Sequence, residues 1–178
     1  QEIEGEKFYD EKLRIDLLAV LCRLGHNQCN EYSVYLLDEW MSLPNHDEEN
    51  PIPVSTMCKA KANGNYINSI LALREALDAG FEEALLLDNE GYVAEGSGEN
   101  FFLVRDGILY TPELTSCLEG ITRDSIFRIA ADQGLTVREK RISRDEENVA
   151  DEAFFTGISA VVVSISEVDN VTKGSGDR

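Results

Sequence analysis

The chain has 178 residues, 43% of them hydrophobic, enough to bury the core of one domain with a small appendage. Its 34 acidic residues outweigh 16 basic ones, and the formal net charge of −18 argues against nucleic-acid and anionic-membrane partners in favour of a small organic substrate. No apolar run approaches the length of a membrane span, and the acidic start Gln1–Lys7 lacks the basic-then-apolar order of a secretory signal. In chain order, Leu13, Leu17, Val20, Leu21 and Leu24 recur at spacings of three and four and stop at Gly25, predicting an amphipathic helix over 10–24. Tyr32, Tyr35, Leu36, Trp40 and Met41 repeat the theme over 31–41, so the two segments predict a helical hairpin. Residues 43–53, rich in proline, asparagine and acid, read as a loop, and the organisation divides there into 1–53 and 54–178.

Val54–Ala62 alternates loosely and predicts a strand carrying Lys59 and Lys61. Asn65 then caps a helix with the apolar stripe Ile67, Ile70, Leu71, Leu73 and Leu77, ending at Gly80. Short strands follow at Ala84–Leu87, Tyr92–Ala94, Phe101–Val104 and Ile108–Tyr110, separated by the turn residues Asp88–Gly91 and Asp106-Gly107. A helix over Thr122–Asp132 closes at Gly134, Val137–Ile142 is strand-like, and Ser143-Arg144-Asp145-Glu146 is a capping box opening a short helix. Ala153–Phe155 and Ala160–Ile165 return to strand. The order predicts an α+β domain with a mixed sheet and no Rossmann alternation.

The four cysteines, at 22, 29, 58 and 117, show no Cys-x-x-Cys spacing, and read as reduced thiols of a cytoplasmic protein. His26 and His46 are too isolated to hold zinc. The chemistry lies in two other clusters, the lysine segment Met57–Tyr66 and the acid-glycine cluster Glu95–Asn100. A lysine near an acidic group and glycine-rich turns is what chemistry through pyridoxal phosphate requires: an amine for the Schiff base, a carboxylate for the ring nitrogen, and amides for the phosphate. Lys59 and Lys61 share one face of a strand, and pattern alone does not separate them.

Five blocks in order carry a resemblance: Lys-Ala-Asn-Gly-Asn-Tyr at 61–66, Glu-Ala-Leu-Leu-Leu-Asp at 83–88, Gly-Tyr-Val-Ala-Glu-Gly-Ser-Gly-Glu-Asn at 91–100, Leu-Glu-Gly-Ile-Thr-Arg-Asp at 118–124, and Ala-Asp-Glu-Ala-Phe-Phe-Thr-Gly at 150–157. Together they resemble the mixed-sheet large domain of the fold-type IV, D-amino-acid aminotransferase-like enzymes, and within them the bacterial branched-chain amino-acid aminotransferases. The resemblance implies pyridoxal 5′-phosphate as cofactor and transamination from leucine, isoleucine or valine to 2-oxoglutarate. It selects Lys61 over Lys59 as the Schiff-base lysine and as the group that moves a proton between the substrate Cα and the cofactor C4′. The task needs an amine that is neutral often enough to attack a carbonyl, a demand that burial beside a cation would meet.

Glu95 is implied as the partner of the pyridine nitrogen, and Tyr66 as the donor to the phenolic oxygen. Leu118 is implied against the ring face, while Gly120, Ile121 and Thr122 are implied at the phosphate, where glycine lets the backbone approach and a helix begins. Thr122 reads equally well as a helix N-cap, and Tyr66 or Leu118 as core. Glu99 and Asn100 shape the turn around Glu95. Ile158 stands where the family has a second phosphate threonine, Ser159 beside it is the compensating hydroxyl, and Ser159 and Ala160 face the substrate.

Two further departures mark a fragment. The chain starts at Gln1 without the family's small domain and its phosphate-binding arginine, and Asn170–Arg178 stops inside a loop. The family implies a homo-oligomer. Residues 11–26, Trp40-Met41 and Asn50–Pro53 are similar to helical repeats in the C-terminal domain of aminopeptidase N-type enzymes, but the zinc-binding His-Glu-x-x-His is absent and no peptidase activity follows. The alternatives are another fold-type IV enzyme, a D-amino-acid aminotransferase or aminodeoxychorismate lyase, or a catalytically silent chimera.

Overall fold

A computed structural model describes residues 31–36, 61–88, 90–159 and 161–173. Its framework is a nine-stranded mixed sheet. The strands are β1 (Glu31–Leu36), β2 (Glu83–Leu87), β3 (Val93–Gly96), β4 (Asn100–Arg105), β5 (Ile108–Thr111), β6 (Thr136–Glu139), β7 (Glu152–Gly157), β8 (Val161–Val168) and β9 (Val171–Thr172). Among the described residues three helices accompany them: α1 (Tyr66–Asp78), preceded by a 3₁₀ turn over Asn63–Asn65, α2 (Ile121–Asp132) and α3 (Arg144–Asn148).

The strand order β3-β2-β1-β8-β7-β4 closes on itself through a β3–β4 bridge at Glu95 and Asn100. Closure removes the open edges that a flat sheet would present. β5 and β6 extend outward from β4. β5 pairs antiparallel with β4 and parallel with β6, and α2 connects the two parallel strands.

Alternation along the strands, reset by a register shift in the β2–β3 pair and another in the β1–β8 pair, sorts the side chains into two faces. Val34, Leu36, Leu85, Leu87, Val93, Phe101, Leu103, Ala153, Phe155 and Ile165 fill the ring together with Ile142. Phe101 and Phe155 meet edge to face at 5.9 Å, the favoured aromatic geometry. On the outer face, Phe102 stacks on Phe154 at 5.1 Å, and both join Val162 and Ile126 of α2 in a second core. A third cluster seats Ala72 and Ala76 of α1 on Ala84 and Leu86, with Tyr35 and Phe81 against it.

The mixed-sheet expectation and most predicted strands match these elements to within one to four residues. The Asp106-Gly107 turn has positive φ at both residues, 50° and 73°, as a two-residue hairpin requires. The capping box is present in full: the Ser143 hydroxyl accepts from the Glu146 N–H and the Glu146 side chain accepts from the Ser143 N–H. A buried ion pair pins the end of the described chain, with Lys173 Nζ 2.9 Å from Glu147 Oε1 and donating to the Glu147 carbonyl at 2.8 Å.

Four expectations need correction. Residues 31–36 form a strand of the ring, not part of a second helix; Val34 and Leu36 point inward and Tyr35 outward, and β1 pairs in parallel with both β2 and β8. The period-two alternation prevails because two neighbouring strands satisfy its backbone. The rest of the proposed hairpin, including 10–24 and Trp40-Met41, and the segment similar to aminopeptidases lie outside the described residues. The strand predicted to reach Ala62 is interrupted at Lys61, whose φ of 49° turns the chain, and the extended Ala62 then caps the 3₁₀ segment; Val54–Ala60, with Lys59, lies outside the described residues. The strand predicted through Ile142 ends at Glu139, after which Ile142 swings into the ring core.

Finally, α1 does not bury its large aliphatic stripe. Ala72 and Ala76 face the sheet, while Ile67, Ile70, Leu71 and Leu77 are exposed. Two alanines four residues apart let the helix approach Ala84 closely, which bulkier side chains would prevent. Ala76→Leu is therefore expected to lower unfolding free energy by about 1–3 kcal/mol through overpacking. Leu77→Ala should change it by less than about 0.5 kcal/mol. Urea denaturation of the two variants measures the difference.

Candidate active site

Directly paired residues on neighbouring antiparallel strands point to the same face, so register lines up a row of side chains across the ring. Leu86 pairs with Glu95, Glu95 with Asn100, Asn100 with Thr156, and Thr156 with Val162. Leu86 belongs to the footing of α1 and Val162 to the footing of α2. Three polar side chains, Glu95, Asn100 and Thr156, thus cross the outer face between the two helices.

Glu95 accepts the Leu118 N–H at 2.9 Å on Oε2, and the Asn100 amide approaches the same oxygen at 3.5 Å. Burial pushes its carboxyl up to about 7, while the Leu118 N–H and the positive charge of Lys61 pull the other way. Lys61 Nζ donates to the Tyr66 hydroxyl at 3.1 Å. Tyr66 opens α1, so the left-handed Lys61 and the 3₁₀ turn aim the amine back toward the first turn of the helix. A non-glycine residue in that backbone region costs roughly 1–2 kcal/mol, which the surrounding structure must offset.

The segment 118–122 lies at the other end of the row. The Leu118 carbonyl accepts from Asn100 Nδ2 at 2.7 Å. Gly120 is the N-cap of α2 and makes no side-chain cap; a Cβ there would lie 2.2 Å from Asn100 Oδ1, so only glycine fits. Thr122, half-buried in the first turn of α2, and the leading amides of that helix form a place for an anion. Thr156 Oγ1 is buried with no hydrogen-bond partner beside Asn100.

The structure therefore brings Lys61, Tyr66, Glu95, Leu118 and Gly120 into one linked cluster, with Ile121 and Thr122 continuing from it. It leaves Ile158 73% exposed and Ser159 exposed in the turn after β7; Ala160 lies outside the described residues. The expectation of a buried Lys61 beside a cation is corrected. Lys61 is exposed at the mouth of the cluster, with Ala62, Asn63 and Gly64 exposed after it, and the charge it acts on is the Glu95 carboxylate.

Sequence reasoning assigns Asn100 only a turn-shaping role and passes over Thr156 and Glu83. Glu83 Oε1 accepts from the Ser97 N–H at 3.2 Å, tying β2 to the turn beyond Glu95. Burial and the nearby Glu83 push the Glu99 carboxyl up to about 7. Glu99 also lies under Gly157, where a Cβ would come within 3.1 Å of its Cγ. The signals are present as single letters, but their meeting depends on cross-strand register.

The residues fit pyridoxal 5′-phosphate on four independent points: a desolvated carboxylate for a ring N–H, an amine within its field, a cradle that a Cβ would fill, and an orphaned buried hydroxyl. Among the described residues no group of three or more His, Cys, Asp or Glu side chains could hold a metal ion, and no helix is long and apolar enough to cross a membrane.

The family model for amino-transferase class IV matches residues 33–168. A branched-chain-amino-acid aminotransferase of Pseudomonas aeruginosa is 58% identical over 123 residues, covering 69% of this chain and 40% of that protein. The branched-chain aminotransferase of the thermophilic archaeon Thermoproteus uzoniensis, solved with norvaline, superposes with a TM-score of 0.72 at 42% identity, over 84% of this chain and 48% of its own. The Thermobaculum terrenum branched-chain amino acid aminotransferase in its PLP form gives 0.71 at 36% identity, over 86% and 47%. The chain spans less than half the length of these relatives.

Glu95 and Glu99 titrate higher in the fold than in an unfolded chain, so their contribution to stability is complete below the ordinary carboxylate range and lost as pH rises through about 7. The ionised Glu95 alone is expected to cost about 3 kcal/mol. Denaturant unfolding should weaken from about pH 5 to about pH 8. Glu95→Gln and Glu99→Gln should each flatten that slope.

Proposed function

The chain belongs to the class IV amino-transferases, and from that membership we propose that its ring and flanking helices hold pyridoxal 5′-phosphate and carry the cofactor side of a branched-chain amino-acid transamination. The amino group of leucine, isoleucine or valine passes to 2-oxoglutarate. The observation that carries the reading is the meeting of Lys61 and the segment leading into the uncapped start of α2 at the half-buried carboxylate of Glu95. The names of the relatives support the substrate class.

Bound pyridoxal phosphate supplies an electron sink, storing the pair released when a substrate Cα–H bond breaks. Glu95 holds the proton on the ring nitrogen that makes the sink effective; its desolvated carboxyl strongly favours a hydrogen-bonded cationic partner over water. Lys61 anchors the cofactor through Nζ, then takes the proton from the substrate Cα and returns it at C4′. A positioned acid/base of this kind contributes roughly 10²–10⁴-fold. Its hydrogen bond to Tyr66 keeps both groups together at the mouth of the site, and Tyr66 directs its hydroxyl to the phenolic oxygen.

Leu118 packs on the ring face, while the amides of Ile121 and Thr122, the Thr122 hydroxyl and the close backbone approach at Gly120 take the phosphate. Ser159 and Ala160 are assigned to the substrate end. Ile158 adds no hydrogen bond at a position where the family places a hydroxyl. The reading includes a cytoplasmic homo-oligomer, the setting expected from the resemblance.

Incubation with pyridoxal phosphate, borohydride reduction and peptide mass spectrometry should place the adduct on Lys61 and lose it in Lys61→Ala. Adducts spread over surface lysines would refute the reading. Ile158→Thr restores a donor to a charged phosphate, a contact worth roughly 1.5–3 kcal/mol, and is expected to tighten cofactor binding about ten- to a hundredfold. A fluorescence titration reads the change.

A further inference from the structure

We propose that Asn100 is a positioning residue that locks the Glu95 carboxylate and the 118–122 cradle into one unit, so that the contacts to the cofactor's ring nitrogen and to its phosphate are fixed relative to each other. The inference rests on the cofactor reading above and goes beyond it, because Asn100 touches neither end of the cofactor in that reading.

Four observations meet at this side chain. Asn100 is 6% exposed and forms the β3–β4 bridge with Glu95, which closes the ring. Its Nδ2 donates to the Leu118 carbonyl at 2.7 Å, while the Leu118 N–H donates to Glu95 Oε2 at 2.9 Å. The same amide nitrogen lies 3.5 Å from that carboxylate oxygen, so Glu95, Leu118 and Asn100 form a closed loop of polar contacts. On the other side, Asn100 Oδ1 occupies the space that any Cβ at position 120 would need, 2.2 Å away. One amide therefore sets the distance of the cradle from the carboxylate and forces glycine at the start of α2.

The chemistry of the side chain is specific. A carboxamide offers two N–H donors on one atom and an acceptor on the other. Aspartate, of the same shape, would turn the donor edge into a second acceptor facing the Leu118 carbonyl and Glu95 Oε2, and add a like charge to the carboxylate. The charged group that acts on Glu95 from the opposite side is Lys61, held on Tyr66. Glu99, whose carboxyl also titrates near 7, precedes Asn100 in the chain and is faced by Glu83.

The test is made on the whole chain with ¹³C-carboxyl-labelled glutamate, so that the Glu95 titration is followed by NMR without cofactor. Glu95→Gln identifies its signal among the carboxyls and separates it from Glu99. In Asn100→Asp the Glu95 midpoint is expected to rise by about one pH unit or more. Pyridoxal phosphate should bind at least about tenfold more weakly. Gly120→Ala should weaken binding by a similar factor, and Asn100→Ala should recover part of that loss in the double variant because the clash is gone. Should Asn100→Asp fail to fold, Asn100→Ala serves in its place, with a smaller rise of the same sign.

A folded Asn100 variant whose Glu95 midpoint stays at the native value overturns the proposal, as does independent, additive loss from Gly120→Ala and Asn100→Ala. The two readings fail separately. If the unaltered chain takes up no pyridoxal phosphate but the midpoint still moves, the cofactor reading falls and the lock stands. If the cofactor binds and neither midpoint nor affinity responds, the lock falls alone.

Discussion

A carboxylate on the outer face of a closed ring of strands is costly unless the fold brings donors to it, and the arrangement around Glu95 follows from that constraint. The ring leaves Glu95 between the footings of two helices, out of reach of bulk water on most sides. The Leu118 N–H supplies a donor, but a loop segment can do so only if it is held at the right height. Asn100 holds it by the Leu118 carbonyl. With the segment fixed, Gly120 caps α2 two residues after Leu118, and the first amides of the helix follow directly. The carboxylate, the lysine that acts on it and the helix terminus are thus consequences of one burial problem solved by neighbouring strands.

The closed ring also explains why so much of the site lies on strands and their ends. Strand side chains are fixed by backbone pairing on both sides, so positions along the row vary little, as the proposed grip on a planar ring requires. Lys61 is the exception, carried by a left-handed residue ahead of a 3₁₀ turn. It is exposed and joined to the rest through Tyr66 and through charge, an arrangement that suits the double task proposed for it, holding a cofactor and moving a proton.

Where hydrophobic period and turn chemistry agree, the sequence is legible. The strands from β2 to β5 are short apolar runs set off by the turn residues at Asp88–Gly91 and Asp106-Gly107, so their existence follows from local pattern. β1 reads wrongly as helix because Tyr32, Tyr35 and Leu36 satisfy a helical spacing as well as a strand one, and in a six-residue window only its partners β2 and β8 decide. The position of α1 is legible but its buried face is not, because alanine scores low on hydrophobicity yet packs closest. Within the site, the blocks around Lys61, Tyr66, Glu95 and Leu118 name residues that the structure links into one cluster. The lock at Asn100 and the orphaned hydroxyl of Thr156 are invisible in sequence, since both arise from which strands lie side by side.

The buried pair of Lys173 and Glu147 has a consequence for how such a chain is made. Glu147 sits at the end of the capping-box helix, and its counter-ion arrives 26 residues later, after β7, β8 and β9. During synthesis the carboxylate must wait for that lysine to leave the ribosome, and removing one member of a buried pair costs several kcal/mol. The carboxylate is therefore matched late, by a single ammonium group just past β9, a strand that pairs with β8 outside the closed ring. A nascent chain released before Lys173 would carry every residue of the Glu95 cluster yet lack the charge that pairs with Glu147.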